Sequence, residues 1–247
     1  MTIKNFGKYS LSLYRLILFV IIISASSGIG AAPLFLEFHK TSFTHNSVIS
    51  DTLKENQLLY NGRIWKNIYF NVEGDQFLFS KTFMPGSIVV RGNQFRDISI
   101  MYDIYNDEII IPFNKGGIIQ INKQMVDSFS VQFQNKKYLF TKIKIDSLYG
   151  YVHIIYKGKT ALYVRYTKNI EKLADQGKYD KFYQENQTLF VKDDKVYPLT
   201  GKRDLLNILH EDKEAVNGFI KKNRIKISKT DPESLVPVIR YLDTLSH

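Results

Sequence analysis

Three carboxylates crowd one short stretch of the chain: Asp103, Asp107 and Glu108. Oxygen donors grouped in this way suit a hard cation such as Ca²⁺, and two acids facing each other across a cleft are what glycoside hydrolysis requires. The spacing supports neither. On an extended strand Asp103 and Asp107 share a face about 13 Å apart, a turn at Asn106 is needed to bring them closer, and the calcium-loop pattern is absent. Turn-forming, solvated acids are the expectation. The histidines are His39, His45, His153, His210 and His247. No two of them have metal-ligand spacing on one element, and His153, between Val152 and Ile154, reads as a strand residue, packed or outward-facing. There is no Gly-x-Ser-x-Gly elbow and no glycine-rich phosphate loop. The absence of cysteine removes disulfides, thiolate metal sites, a cysteine nucleophile and a lipidated cysteine. No catalytic residue, metal ligand or cofactor is therefore assigned, and an enzyme is not expected.

Two further features carry binding chemistry. Trp65, the single tryptophan, stands between Arg63 and Lys66. It can form a cation–aromatic platform, although an anchor of a β core is the preferred reading. The run Lys221, Lys222, Arg224, Lys226 and Lys229 has only Asp231 nearby. It reads either as a solvated face or as a docking surface for an anionic partner.

The elements that position these residues fall into two styles. From Leu58 to about Lys168, short apolar runs alternate with turn residues. Residues 76–79, 87–91, 98–105, 108–111, 117–121, 128–133 and 138–143 are strand-like, broken by Pro85-Gly86, Arg91-Gly92-Asn93, Asn106-Asp107, Lys115-Gly116-Gly117 and Asn135-Lys136. Phe129, Val131 and Phe133 alternate with Ser130 and Gln132, the mark of a half-buried strand. Residues 150–156 and 160–166 form the best hairpin, with Gly158 in its turn free to supply positive φ. Residues 190–191 and 196–197 form another. The expectation is mainly β: an antiparallel β-sandwich or barrel of about nine or ten short strands.

Past about Thr200 the period changes. Leu205, Leu206, Ile208 and Leu209, then Ala215, Val216, Phe219 and Ile220, then Leu235, Val238, Ile239, Leu242 and Leu245 trace helical stripes. Ser234 is the expected cap of the last helix, with Pro237 tolerated in its first turn. The domain plan is a signal segment at 1–32, a leader at 33–57, a β-rich domain at 58–200 and a short helical C-terminal appendage at 201–247.

The chain has 247 residues and a formal net charge of +10. Lys4, Lys8 and Arg15, the apolar run 16–23 and residues 24–32, all small except Ile29, have the three-part pattern of a secretory signal peptide. Its removal leaves 31 basic against 24 acidic residues, a charge of +7 (34 Lys+Arg less three, against 24 Asp+Glu). The alternative is an N-terminal anchor in the inner membrane, since the uncharged run 16–36 is long enough to span a bilayer, though its Ser/Gly-rich second half and Pro33 weaken it. An outer-membrane barrel is disfavoured because its strands are about ten residues long, longer than the runs read here.

Asn61-Gly-Arg-Ile-Trp65, Gly74-Asp-Gln-Phe-Leu-Phe-Ser80, Pro85-Gly86, Tyr102-Asp-Ile-Tyr-Asn-Asp-Glu108, Lys202-Arg-Asp-Leu-Leu206 and Phe219-Ile-Lys-Lys-Asn223 stand in an order that resembles uncharacterised exported proteins of the Bacteroidota type. The resemblance covers most of the chain after the signal segment. It implies envelope export and carries no activity. The resulting expectation is an exported cell-envelope protein, periplasmic or on the outer surface. It would work by binding or assembly through the basic tail, partnered by an envelope protein or an anionic glycan or lipid surface and not by nucleic acid. The alternatives are a carrier holding a small apolar ligand in a lipocalin-like barrel lined by Tyr and Phe, and a carboxylate-dependent hydrolase of envelope polymer.

Overall fold

The computed structural model describes residues 57–113, 116–145, 148–172 and 179–245. The signal segment and all but the last residue of the leader lie outside the described residues. The protein is mainly β, a mostly antiparallel open sheet of twelve strands followed by short helices. The strands are β1 (Gly62–Ile64), β2 (Val72–Glu73), β3 (Met84–Val90), β4 (Asn93–Asp103), β5 (Glu108–Phe113), β6 (Gly117–Ile121), β7 (Val126–Phe133), β8 (Lys136–Ile145), β9 (Leu148–Lys157), β10 (Ala161–Glu171), β11 (Asp180–Lys192) and β12 (Lys195–Leu199). Their order is β1-β6-β5-β4-β3-β7-β8-β9-β10-β11-β12, with β2 parallel to the start of β11. Several strands are longer than the sequence runs: β8 and β9 have 10 residues, β4 and β10 have 11, and β11 has 13.

Local chemistry accounts for the turns. Three hairpins close on two residues with left-handed backbone: Arg91-Gly92, Gln134-Asn135 and Asp193-Asp194. This is the turn whose twist matches that of the paired strands. The β9–β10 turn works differently. Gly158 does not take positive φ, and a Cβ on it would lie 2.1 Å from a carboxylate oxygen of Asp243. Its glycine is needed for that close approach.

The sheet curls on itself. Tyr102 on β4 meets the rings of Phe129 at 5.0 Å, Phe140 at 5.3 Å and Tyr151 at 6.1 Å, although β9 lies four places along the sheet. Phe129 and Phe140 stack at 4.7 Å. With Ile88, Ile109, Ile111, Ile121 and Val131 these rings fill the concave face as one core. The curl is fastened at a seam. Residues 76–78 pair with the end of β4 (Leu78 N–H to Tyr102 O, 2.9 Å; Ile104 N–H to Gln76 O, 3.0 Å), and the Lys168 N–H of β10 reaches the Ile104 carbonyl at 3.3 Å. The Lys168 ammonium donates to the Asp75 carbonyl (2.8 Å), the Asp75 carboxylate (3.0 Å) and the Phe77 carbonyl (2.8 Å).

The helices are α1 (Lys202–Ile208), α2 (Lys213–Lys222) and α3 (Val236–Leu245). Their apolar stripes meet Leu162, Phe190 and Leu199 of the sheet in a second core. Asp243 of α3 clasps the β9–β10 turn: its carboxylate accepts from the N–H groups of Lys159 (2.9 Å) and Thr160 (3.0 Å), the Thr160 hydroxyl (2.6 Å) and the Tyr156 hydroxyl (3.0 Å). The appendage is thus part of the hydrophobic interior. Ser234 is not the cap of the last helix. A 3₁₀ turn (Pro232–Leu235) precedes α3, and Asp231 caps it by accepting the Glu233 N–H at 3.1 Å. The Ser234 hydroxyl donates to the Asp231 carbonyl at 2.5 Å.

Candidate functional site

The basic run begins where α2 ends. Lys221 and Lys222 occupy its last turn, where the helix dipole favours cations. The Arg224 N–H bonds to Lys221 O (3.2 Å) and the Ile225 N–H to Ile220 O (3.0 Å). These two bonds define a Schellman motif, whose left-handed position usually falls to glycine. Here that position is Arg224, with φ 51°. Beyond it the chain runs extended, so side chains alternate: Ile225 and Ile227 turn into the helical core, while Arg224, Lys226 and Ser228 face solvent. All five predicted cations, Lys221, Lys222, Arg224, Lys226 and Lys229, are exposed. Among the described residues none of the five is in an ion pair.

The structure extends this surface to two residues the sequence reading missed. The Lys229 side chain lies over Gly201, its Cγ 3.7 Å from where a Cβ would stand, and so reaches the start of α1, where Lys202 and Arg203 follow. Between them Asp204 accepts from the Thr200 hydroxyl (2.6 Å) and N–H (2.8 Å). Those bonds hold its carboxyl below the usual range, and Arg203 and Lys229 add to the effect. The adjacent basic pair at the head of the first tail helix was the available signal.

The carboxylates do other work. Asp103 is fully buried and accepts from the N–H groups of Tyr105 (3.0 Å) and Asn106 (2.9 Å) and from the Asn106 amide (2.9 Å), which shapes the β4–β5 turn. Burial pushes its carboxyl up, and these bonds partly oppose that. It is turn-forming as expected but not solvated. Asp107 points to the concave side, accepting from the Tyr102 hydroxyl at 2.6 Å and the Lys123 ammonium at 2.5 Å. Glu108 faces the convex side toward Arg63, 3.4 Å away, and burial raises it. Each acid thus has its own set of partners. Among the described residues no group of three His, Asp or Glu is placed to hold a metal ion.

His153 is packed. Its Nδ1 lies 3.2 Å from the Tyr166 hydroxyl, among the rings of Tyr138, Phe140 and Tyr166. Burial draws its imidazole down to about 4. Trp65 packs its ring on Phe77 at 5.9 Å in a small convex-side cluster with Met101, Ile110 and Ile118, so it anchors the outer face and not the main core. Comparison with protein-family models, curated proteins and solved structures finds no match for this chain.

Proposed function

We propose that this is an exported, non-enzymatic protein of the cell envelope that docks on an anionic envelope surface through Lys221, Lys222, Arg224, Lys226 and Lys229. The observation that carries this reading is Arg224. Holding a residue with a Cβ in the left-handed conformation costs about 1 kcal/mol, glycine would avoid that cost, and the side chain has no ion-pair partner among the described residues. Other non-glycine residues of this chain take the left-handed conformation within turns; Arg224 supports the reading because it does so among four further exposed cations that also have no ion pair among the described residues. Export is supported by the N-terminal pattern and by the resemblance to exported proteins.

Removing residues 201–247 is a poor test, because it would uncover Leu162 and Phe190, both 0% exposed. Charge removal is cleaner. A cation near an anionic surface contributes about 1 kcal/mol, so neutralising five should weaken binding by about a thousandfold or more. The measurement is co-sedimentation with phosphatidylcholine vesicles containing about a third phosphatidylglycerol, for the wild type and a variant with all five residues changed to Gln. Binding should fall steeply as salt shortens the screening length. Equal sedimentation of the two proteins would reject the docking role.

A further inference from the structure

The convex face of β5, β6 and β1 carries a second arrangement, independent of the basic tail. Strand pairing sets Arg63 opposite Gln120, and Gln120 opposite Ile110, so Arg63, Gln120, Ile110 and, two residues along, Glu108 share one side of the sheet. The Arg63 Nε donates to the Gln120 amide oxygen at 2.9 Å, and its Nη2 reaches Glu108 at 3.4 Å. This trio is a low bridge with a concavity on each side. One, of about 320 Å³, is walled by Trp65, Tyr69 and Asn106. The other, of about 450 Å³, is lined by Asn61, Asn122 and Gln124. The two share Arg63, Glu108 and Gln120 and lie side by side across three strands, a groove interrupted by the trio. Beneath it lie Met101, Ile110 and Ile118.

The chemistry of this groove is specific. Its walls present amides, which donate and accept through planar groups, together with the Glu108 carboxylate and the cations Arg63, Lys66 and Lys123, of which Arg63 pairs with Glu108 and Lys123 with Asp107. A hydroxyl-rich ligand offers the matching mixture of donors and acceptors. Trp65 supplies a flat apolar surface at one end, and Tyr149, 40% exposed with its hydroxyl 3.1 Å from Gln124, supplies another ring near the other end. Rings at the ends and amides between them match a chain of pyranose units, each with an apolar C–H face and a hydroxyl rim. We propose that this groove binds a neutral oligosaccharide chain, with Glu108, Gln120 and Arg63 bonding its hydroxyls and Trp65 stacking on a terminal ring.

Trp65 is the single tryptophan, so its fluorescence reports on the groove alone. The full chain is titrated with chitotriose and with cellotriose, by emission and by calorimetry. At least one of them should give a saturable emission change with matching heat, undiminished in high salt because the ligand is uncharged. Glu108→Gln and Gln120→Ala should each weaken that binding by about tenfold or more, as expected when a site built for hydroxyls loses a partner. Trp65→Phe should keep a weakened calorimetric signal, and the five-fold Gln variant of the tail should bind as the wild type does. Glu108→Gln preserves the shape of a partly exposed side chain, so a folded variant is expected, checked by circular dichroism. Failure of both trisaccharides to produce heat or an emission change at about 10 mM, or undiminished binding by both folded variants, would overturn the proposal.

Discussion

Lys168 at the seam of the curled sheet and Arg224 at the end of α2 are both cations set at defined positions by the fold, and they end on different things. Lys168 lies 15% exposed and delivers three hydrogen bonds to the Asp75–Phe77 segment. Arg224 holds a left-handed backbone and points into solvent. Other sheet lysines follow the first pattern, with Lys123 on Asp107 and Lys142 on the Lys123 carbonyl. The seam therefore uses charge to satisfy buried acceptors, and its cations are consumed by the fold. The tail leaves its cations over. Net charge by itself does not separate these two uses, and the bonding partners do.

The largest expected effect lies at the seam. Lys168→Met keeps the aliphatic stem and removes the ammonium, so the Asp75 and Phe77 carbonyls lose this donor and the Asp75 carboxylate loses its ion pair and keeps the Phe77 N–H. Breaking a largely buried charge pair costs about 3 kcal/mol, so the urea midpoint should fall in proportion. A loss well under about 1 kcal/mol would place Lys168 with the surface lysines and break the comparison.

The concave core adds a pH term of its own. His153 titrates near 6.5 in an unfolded chain and at about 4 when folded. Between those values the unfolded state binds more protons, so stability is complete above about pH 6.5 and falls as pH drops toward about 4. The loss is between about 2 and 3 kcal/mol. Lys136, which opposes the charged imidazole, and Glu233, which favours it, face the site and bond to each other. Asp103 and Glu108, both raised, act in the opposite sense. The difference between wild type and His153→Phe isolates the histidine: the variant should lose less stability from neutral pH to pH 4, and parallel curves would refute the assignment.

A smaller effect tests how firmly the tail is joined to the sheet. Asp243→Asn keeps the shape of the clasp but sets an amide N–H₂ against donors from Lys159, Thr160 and Tyr156. Losing charge-assisted bonds at a half-buried site should cost about 2 kcal/mol by denaturant titration. Gly158→Ala, whose methyl would collide with the same carboxylate, should move the midpoint in the same direction. If either variant unfolded the helices and left the sheet intact, the joining of tail and sheet into one cooperative unit would be disproved.

Much of this was legible in advance, and the failures have identifiable causes. Period-two runs found the central strands, and Asn, Asp and Gly found the hairpin turns. Helical stripes found the tail as two or three short helices, and three are present among the described residues, each burying one apolar face. Strand β1 has three residues and β2 has two, too short to show any period. The middle of β11, Tyr183–Gln187, is exposed throughout, so its alternation carries no apolar signal. Asp103 was read as solvated because a turn residue usually is, and the seam that buries it is formed by contacts distant in sequence. The five tail cations were visible as a run. The Arg63–Glu108–Gln120 bridge was not, because it joins three strands whose pairing no local pattern encodes, although Arg63, Trp65 and Glu108 had each drawn notice singly.

The smallest expected effect discriminates most sharply between the two regions. Arg224→Gly relieves the left-handed backbone at the Schellman position and removes one exposed cation. If the arginine is kept for binding at the expense of folding, the variant should be more stable than wild type by up to about 1 kcal/mol, offset in part by the greater freedom glycine gives the unfolded chain. It should also bind anionic vesicles about fivefold more weakly, the loss of one cation's contribution. The two measurements must move in opposite directions. A variant that gains stability and binds as before would show that Arg224 is an incidental occupant of its turn. One that loses well over the roughly 1 kcal/mol that glycine's freedom in the unfolded chain costs would show that the side chain makes a contact the fold needs, which would place the arginine with Lys168 and dissolve the distinction between seam and tail.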